Sequence, residues 1–157
     1  MLSNYQLLSI TSAHYCTMDT LEGVYSVDRV PNTVSKYPSF FISNSKPEGH
    51  PGEHWFALFF PNKSQPSEFF CSLGKKAEFY GSNIVNALRS NGNGDFMWNK
   101  YQVQSNTSQA CAYFVLYFID LRSRGVNYSD CMNTLSSLNL ESNELKVTSY
   151  VKTHMIP

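Results

Sequence analysis

Residues 110–119 form the longest apolar stretch of the chain, and the signals around them are those of a helix. Thr107 or Ser108 can cap its start, Arg122 and Arg124 fall in its last turn, and Gly125 can end it. Apolar residues surround the segment, so the helix over 110–124 is expected to be buried at the centre of the core. The run His54-Trp55-Phe56-Ala57-Leu58-Phe59-Phe60 has strand length and is bounded by Gly52 and Pro61. Residues 46–52, with two prolines and two glycines, form the loop that delivers the chain into it. Residues 68–73, short and aromatic before Gly74, predict a strand that is its hairpin partner. Further strands are expected over 23–31, which alternates before Pro31, over 40–44, and over 96–103.

Tyr80, Ile84, Val85 and Leu88 give an amphipathic helix over 77–89, which Gly81 delays to Ser82 and Asn91-Gly92-Asn93-Gly94 stops. Two more helices are expected over 129–138 and 142–152, each with a serine at its start. Residues 4–17 are mildly apolar with little periodicity, and a first helix and an irregular lead-in both fit. No repeat or linker interrupts the chain, so strands flanked by helices predict one α+β domain over 1–157.

Composition narrows the function classes. The 157 residues include 23 aromatics (11 Phe, 10 Tyr, 2 Trp) and are 15% charged, which suits a sizeable core and excludes wholesale disorder. Twelve basic residues balance twelve acidic ones, so no broad basic surface is available for nucleic acid. The ten-residue apolar stretch is half of the roughly 20 residues needed to cross a bilayer, so no membrane partner is expected. No basic region precedes an apolar segment at the N-terminus, which points to an intracellular, reducing setting. Cys16, Cys71, Cys111 and Cys131 are irregularly spaced and are expected as free thiols.

Cys111 falls in the first turn of the 110–124 helix, where the helix dipole and free backbone N–H groups favour a thiolate nucleophile. The same position also suits a small apolar residue that merely begins a buried helix. His54 stands where a loop enters a strand, a place for a base in a cleft and equally for a hydrogen-bonded strand-edge histidine. Gln104 precedes Cys111 by seven residues at the end of the 96–103 strand; there its amide, with the Cys111 N–H, can donate to an oxyanion beside the sulfur.

The series Gly52-Glu53-His54-Trp55, then Phe70-Cys71-Ser72-Leu73-Gly74, then Gln104 and Cys111 with Phe114, resembles the adenain-type cysteine proteases. These are the adenovirus maturation protease and its relatives in large DNA viruses and in Maverick/Polinton elements, within the wider architecture of the ubiquitin-like-protein proteases. The lead-in Gly23-Val24-Tyr25 with Asp28 and Pro31, and Phe41-Ile42-Ser43-Asn44, fits as well, so the resemblance covers about residues 20–125, ahead of C-terminal helices at about 129–152.

The resemblance implies a papain-like, adenain-type fold: a small central mixed sheet packed by helices, with a buried central helix beginning at the nucleophile. It implies Cys111 as nucleophile, His54 as general base and then acid, Gln104 as oxyanion donor, and Glu53, Trp55 and Ala112 in the substrate cleft. Viral or element-encoded capsid and core precursors are the implied substrates, in the host nucleus or cytoplasm and in the virion. A monomer is expected, with no required cofactor and with an activating peptide as an option.

Two positions depart from the pattern. Cys71, 17 residues after His54, stands where the family carries the Asp or Glu that orients the imidazole, and Ala112 replaces a glycine after the nucleophile. Three readings of Cys71 stay open. In one, a Cys111–His54 dyad cleaves peptides, with His54 held by Cys71, a backbone carbonyl, Glu68 or Glu53. In another, the fold binds a peptide or protein without cutting it. In a third, His54, Cys71 and Cys111 hold an inhibitory zinc ion. Action on ubiquitin-like conjugates is a lesser alternative, and Cys71 and Cys111 would form a disulfide if their Cα atoms came within about 7 Å.

Overall fold

The computed structural model describes residues 1–156. Its elements in chain order are α1 (Asn4–Ala13), β1 (Leu21–Ser26), β2 (Ser39–Asn44), β3 (Trp55–Phe60), β4 (Ser67–Phe70), α2 (Ser82–Ser90), β5 (Phe96–Trp98), α3 (Cys111–Ser123), α4 (Tyr128–Asn133) and α5 (Leu140–His154). The strands make one mixed sheet in the order β1-β2-β3-β4-β5. The outer pairs β1/β2 and β4/β5 are parallel, and β2/β3 and β3/β4 are antiparallel.

Successive side chains of a strand point to opposite faces, and both faces of this sheet are covered. Trp55, Ala57 and Phe59 of β3 join Phe40, Ile42 and Phe70 in a core with α3, α4 and α5. Phe56, Leu58 and Phe60 join Phe41, Phe69 and the apolar face of α2, Ile84, Ala87 and Leu88. That is why β3 reads as an unbroken apolar run. Helix α3 is buried over Cys111, Ala112 and residues 114–120, and Phe118 stacks on Phe70 with ring centroids 4.7 Å apart. The fold is thus α+β with a small mixed sheet and a central buried helix, as expected.

Several boundaries differ from expectation for local reasons. A capping box settles the N-terminus as helical: Gln6 N–H donates to Ser3 Oγ, and Ser3 N–H donates to Gln6 Oε1. Gly81, at φ +106°, separates a 3-10 turn (Ala77–Tyr80) from α2, which begins at Ser82. β1 starts earlier and stops at Ser26, because the Val27 N–H turns to the Lys46 carbonyl. The expected 96–103 strand ends at Trp98, and β4 ends at Phe70. Beyond that pair, Asn99 takes both backbone groups of Cys71, accepting from its N–H at 3.0 Å and donating to its carbonyl at 2.6 Å. α4 is shorter than 129–138, while α5 begins early because Asn139 accepts from the Ser142 N–H. Neither Thr107 nor Ser108 caps α3. Ala110 occupies the cap position without a side-chain hydrogen bond, which leaves first-turn N–H groups for the Cys111 thiol.

Candidate active site

The site lies at one end of the sheet, where β3 begins and β4 ends. His54 and Cys71 precede and follow these antiparallel strands on the face that carries α2, and Cys111 arrives on α3 from the other face. The two layers meet at the Trp55 backbone: its N–H points at the Cys111 thiol, one residue from His54. The N–H groups of Cys111 and Ala112 point there too. His54 Nε2 lies 3.3 Å from Cys71 Sγ, and Cys71 Sγ lies 3.2 Å from the Tyr80 hydroxyl. The Tyr80 ring runs nearly parallel to the His54 ring, at 16°, and stacks on Phe56.

Cys71 therefore contacts the imidazole, and Glu68 and Glu53 do not. Glu68 is turned into a bidentate pair with Arg122, at 2.6 and 2.7 Å, and Glu53 pairs with Lys46 at 3.3 Å. The Cys71 thiol sits in a cradle. Backbone N–H groups of Leu73, Gly74 and Lys75 and the Tyr80 hydroxyl all face it. Gly74 permits this turn through its left-handed backbone, φ +72°, and through the lack of a Cβ, which would meet the Gln102 backbone nitrogen at 2.8 Å.

Burial dominates the electrostatics. It lowers the pKa of His54 to about 4, so the ring is neutral at pH 7. Burial pushes the Cys111 thiol up, against the pull of the Trp55, Ala112 and Cys111 N–H groups, and nearby Cys71 adds to the rise. The Cys71 thiol is likewise pushed up by burial, against Tyr80 and its backbone cradle. Tyr80 is pushed up by burial and by Cys71 and Cys111, which sets all three groups in one cluster. At rest the imidazole and both thiols are neutral, with Cys71 at His54 Nε2.

Gln104 is fixed at both ends of its buried amide. Its Oε1 accepts from the Ser72 hydroxyl at 2.5 Å, and its Nε2 donates to the Ser108 carbonyl at 3.0 Å. It thereby links the residue after Cys71 to the loop that leads into Cys111, and one Nε2 hydrogen remains beyond the Ser108 bond.

A cleft of about 350 Å³ opens beside His54 and Tyr80, with Glu53, Lys46, Lys75 and Phe79 on its walls. Phe79 is 68% exposed there, with Lys75 Nζ 5.2 Å from its ring centroid. Of the three residues expected in a substrate cleft, Glu53 lines it. The Trp55 ring instead packs in the core with its indole N–H on the Leu2 carbonyl, and the Ala112 methyl is buried in the first turn of α3.

The zinc set does not assemble either. Among the described residues, the one group of three His, Cys, Asp or Glu donors within 4.8 Å of one another is His14, Cys16 and Asp120, away from the cleft. All four cysteines are free. No helix among the described residues is long and apolar enough to cross a membrane. Tyr80, Ser72 and Asn99 were not candidates from the sequence, since their roles come from a turn and a clamp that no periodicity signals.

No protein-family model and no curated protein matches the sequence. Among solved structures the chain is similar to the ASFV pS273R protease. One crystal structure of that protease aligns over 100% of this chain and 67% of that chain, with TM-score 0.65 and 14% identity. A second, of its selenomethionine form, aligns over 75% of this chain and 44% of that chain, with TM-score 0.49 and 18% identity. The first likeness is one of fold: this α+β chain has the fold of a protease.

Proposed function

We propose that the chain is a cysteine endopeptidase in which Cys111 attacks, His54 moves the proton and Cys71 stands in for the orienting acid. The observation that carries this reading is the imidazole with Cys71 at its Nε2 and the Cys111 thiol, at the start of a buried helix, faced by the N–H of Trp55, the residue next to His54.

With the Nε2 hydrogen donated to Cys71 Sγ, the lone pair of His54 Nδ1 is free to act as base. It takes the Cys111 proton as the sulfur bonds to the scissile carbonyl carbon. The carbonyl electrons move to oxygen, and the oxyanion accepts from the Cys111 N–H and from the remaining Gln104 Nε2 hydrogen. The imidazolium then protonates the departing amine, leaving a thioester. His54 deprotonates the water that hydrolyses it, and the thiol is regenerated. Because burial keeps His54 and Cys111 neutral at rest, the proton moves during attack and not before it.

The cleft beside His54, with cationic Lys46 and Lys75 and aromatic Phe79, suits an extended polypeptide. The motif series adds the adenain-type assignment and, with it, precursor proteins of a virus or integrated element as substrates, processed in the host cell and virion by a monomer without a required cofactor. Cleavage of a fluorogenic library of glycine-containing peptides, abolished in Cys111→Ala, tests the proposal. The competing reading, a fold that binds peptide without cutting it, is favoured by the neutral thiols and by the missing carboxylate. Retention of library peptides without cleavage, equal in wild type and Cys111→Ala, would establish that reading instead.

A further inference from the structure

On the side of α3 away from the cleft, three metal-ligating groups of different chemistry converge. A nitrogen of His14, the sulfur of Cys16 and a carboxylate oxygen of Asp120 all lie within 4.8 Å of one another. His14 and Cys16 belong to the turn after α1, and Asp120 lies deep in α3, fully buried. We propose that His14, Cys16 and Asp120 form a zinc site that clips the N-terminal segment to α3.

The division of labour at Asp120 supports this. Its Oδ2 is held by the Tyr150 hydroxyl at 2.6 Å and by Arg124 Nε at 3.0 Å. Those two bonds fix the carboxylate so that Oδ1 faces His14 Nε2, 2.9 Å away. Hydrogen-bonded outer partners of this kind orient a metal ligand. Two ligands about 2.0–2.1 Å from a tetrahedral ion lie about 3.3 Å apart, so a small outward shift of the His14 ring admits the ion in place of the shared hydrogen. Binding requires Cys16 to lose its proton to solvent and His14 to bind as neutral imidazole. The Cys16 thiolate and Asp120, which also keeps its pairing with Arg124 through Oδ2, then offset most of the charge of the ion.

A nitrogen, sulfur and oxygen set suits zinc over magnesium or calcium. A cavity of about 350 Å³ adjoins His14 and is lined also by Tyr15, His154 and Met155, which gives room for a water as fourth ligand. Cys16 is partly exposed, which provides an entry path and makes its substitution compatible with folding.

The test uses the full chain stripped with a chelator and titrated with Co²⁺, then with Zn²⁺ in competition. The expected result is one ion per chain with a thiolate-to-cobalt charge-transfer band, displaced by Zn²⁺, and a rise in Tm with added Zn²⁺. Cys16→Ser should abolish the band and weaken binding at least tenfold, while Cys71→Ser leaves both unchanged. Tyr150→Phe, which replaces no ligand but removes the hydroxyl that holds Asp120 Oδ2, should weaken binding by about 10-fold. Absence of stoichiometric binding, or a band that survives Cys16→Ser, would overturn the site; so would a band lost in Cys71→Ser, which would move the metal to the cleft. If His14→Ala or Asp120→Asn does not fold, Cys16→Ser and Tyr150→Phe decide the matter alone.

Discussion

At position 71 a sulfur sits in surroundings suited to an anion. Three backbone N–H groups and the Tyr80 hydroxyl surround it, and the imidazole adjoins it at 3.3 Å. A thiol accepts hydrogen bonds weakly and stays neutral, whereas a carboxylate accepts them strongly and would stabilise the imidazolium. Cys71→Asp is therefore expected to raise kcat/KM at least about tenfold, within the roughly 10⁴-fold that such a carboxylate is worth in a serine triad. A fluorogenic peptide assay on both forms checks this, and lower activity in the aspartate form would assign the sulfur a role of its own.

Tyr80→Phe removes one donor to Cys71 and should lower kcat more than it changes KM, with a stability loss of about 1 kcal/mol. The depressed pKa of His54 sets two pH limits. Protonation abolishes the base, so kcat/KM should fall as pH drops through about 4. Because the folded value lies below the unfolded one, the unfolded chain binds the proton first. Stability from this group is complete above about pH 6.5 and is lost as pH falls toward about 4, by about 3 kcal/mol in all. Denaturant titrations of wild type and His54→Ala over that window separate this contribution from the other groups.

At the scale of elements, two features hold the site in register. The turn after β4 depends on Gly74, whose positive φ and contact with the Gln102 backbone leave no place for a Cβ. Gly74→Ala should cost roughly 1–3 kcal/mol and, by moving the cradle at Leu73 to Lys75, reduce kcat further than the stability loss explains. Helix α3 carries Cys111 and is anchored on the sheet by Phe118 against Phe70. Phe118→Ala should cost about 3–5 kcal/mol in thermal or chemical denaturation. Both elements were foreseeable in part: Gly74 was legible as the end of a strand and the apolar stretch after Cys111 as a buried helix. The Asn99 clamp was not. A single polar side chain replaces the strand ladder there, and nothing in the spacing of 96–103 distinguishes that from a longer strand.

Over the whole molecule, the hydrophobic pattern carried the architecture, because the unbroken apolar run of β3 and the burial of α3 both follow from a sheet packed on two faces. It did not carry the approach of the segments that hold His54 and Cys111, which belong to different layers and come together at the sheet end around the Trp55 backbone. Nor did it reveal that the Trp55 ring would turn into the core, since an aromatic beside a candidate base looks the same whether it faces cleft or core.

The central claim is that Cys111, and no other thiol, is the nucleophile assisted by His54. Intact-mass and peptide mapping after exposure to a peptide-like thiol electrophile at neutral pH tests it most directly. The expected result is one adduct per chain, on Cys111, absent in Cys111→Ala and formed at least about tenfold more slowly in His54→Ala. Adducts confined to the partly exposed Cys16, or a Cys111 adduct whose rate is unchanged in His54→Ala, would contradict it.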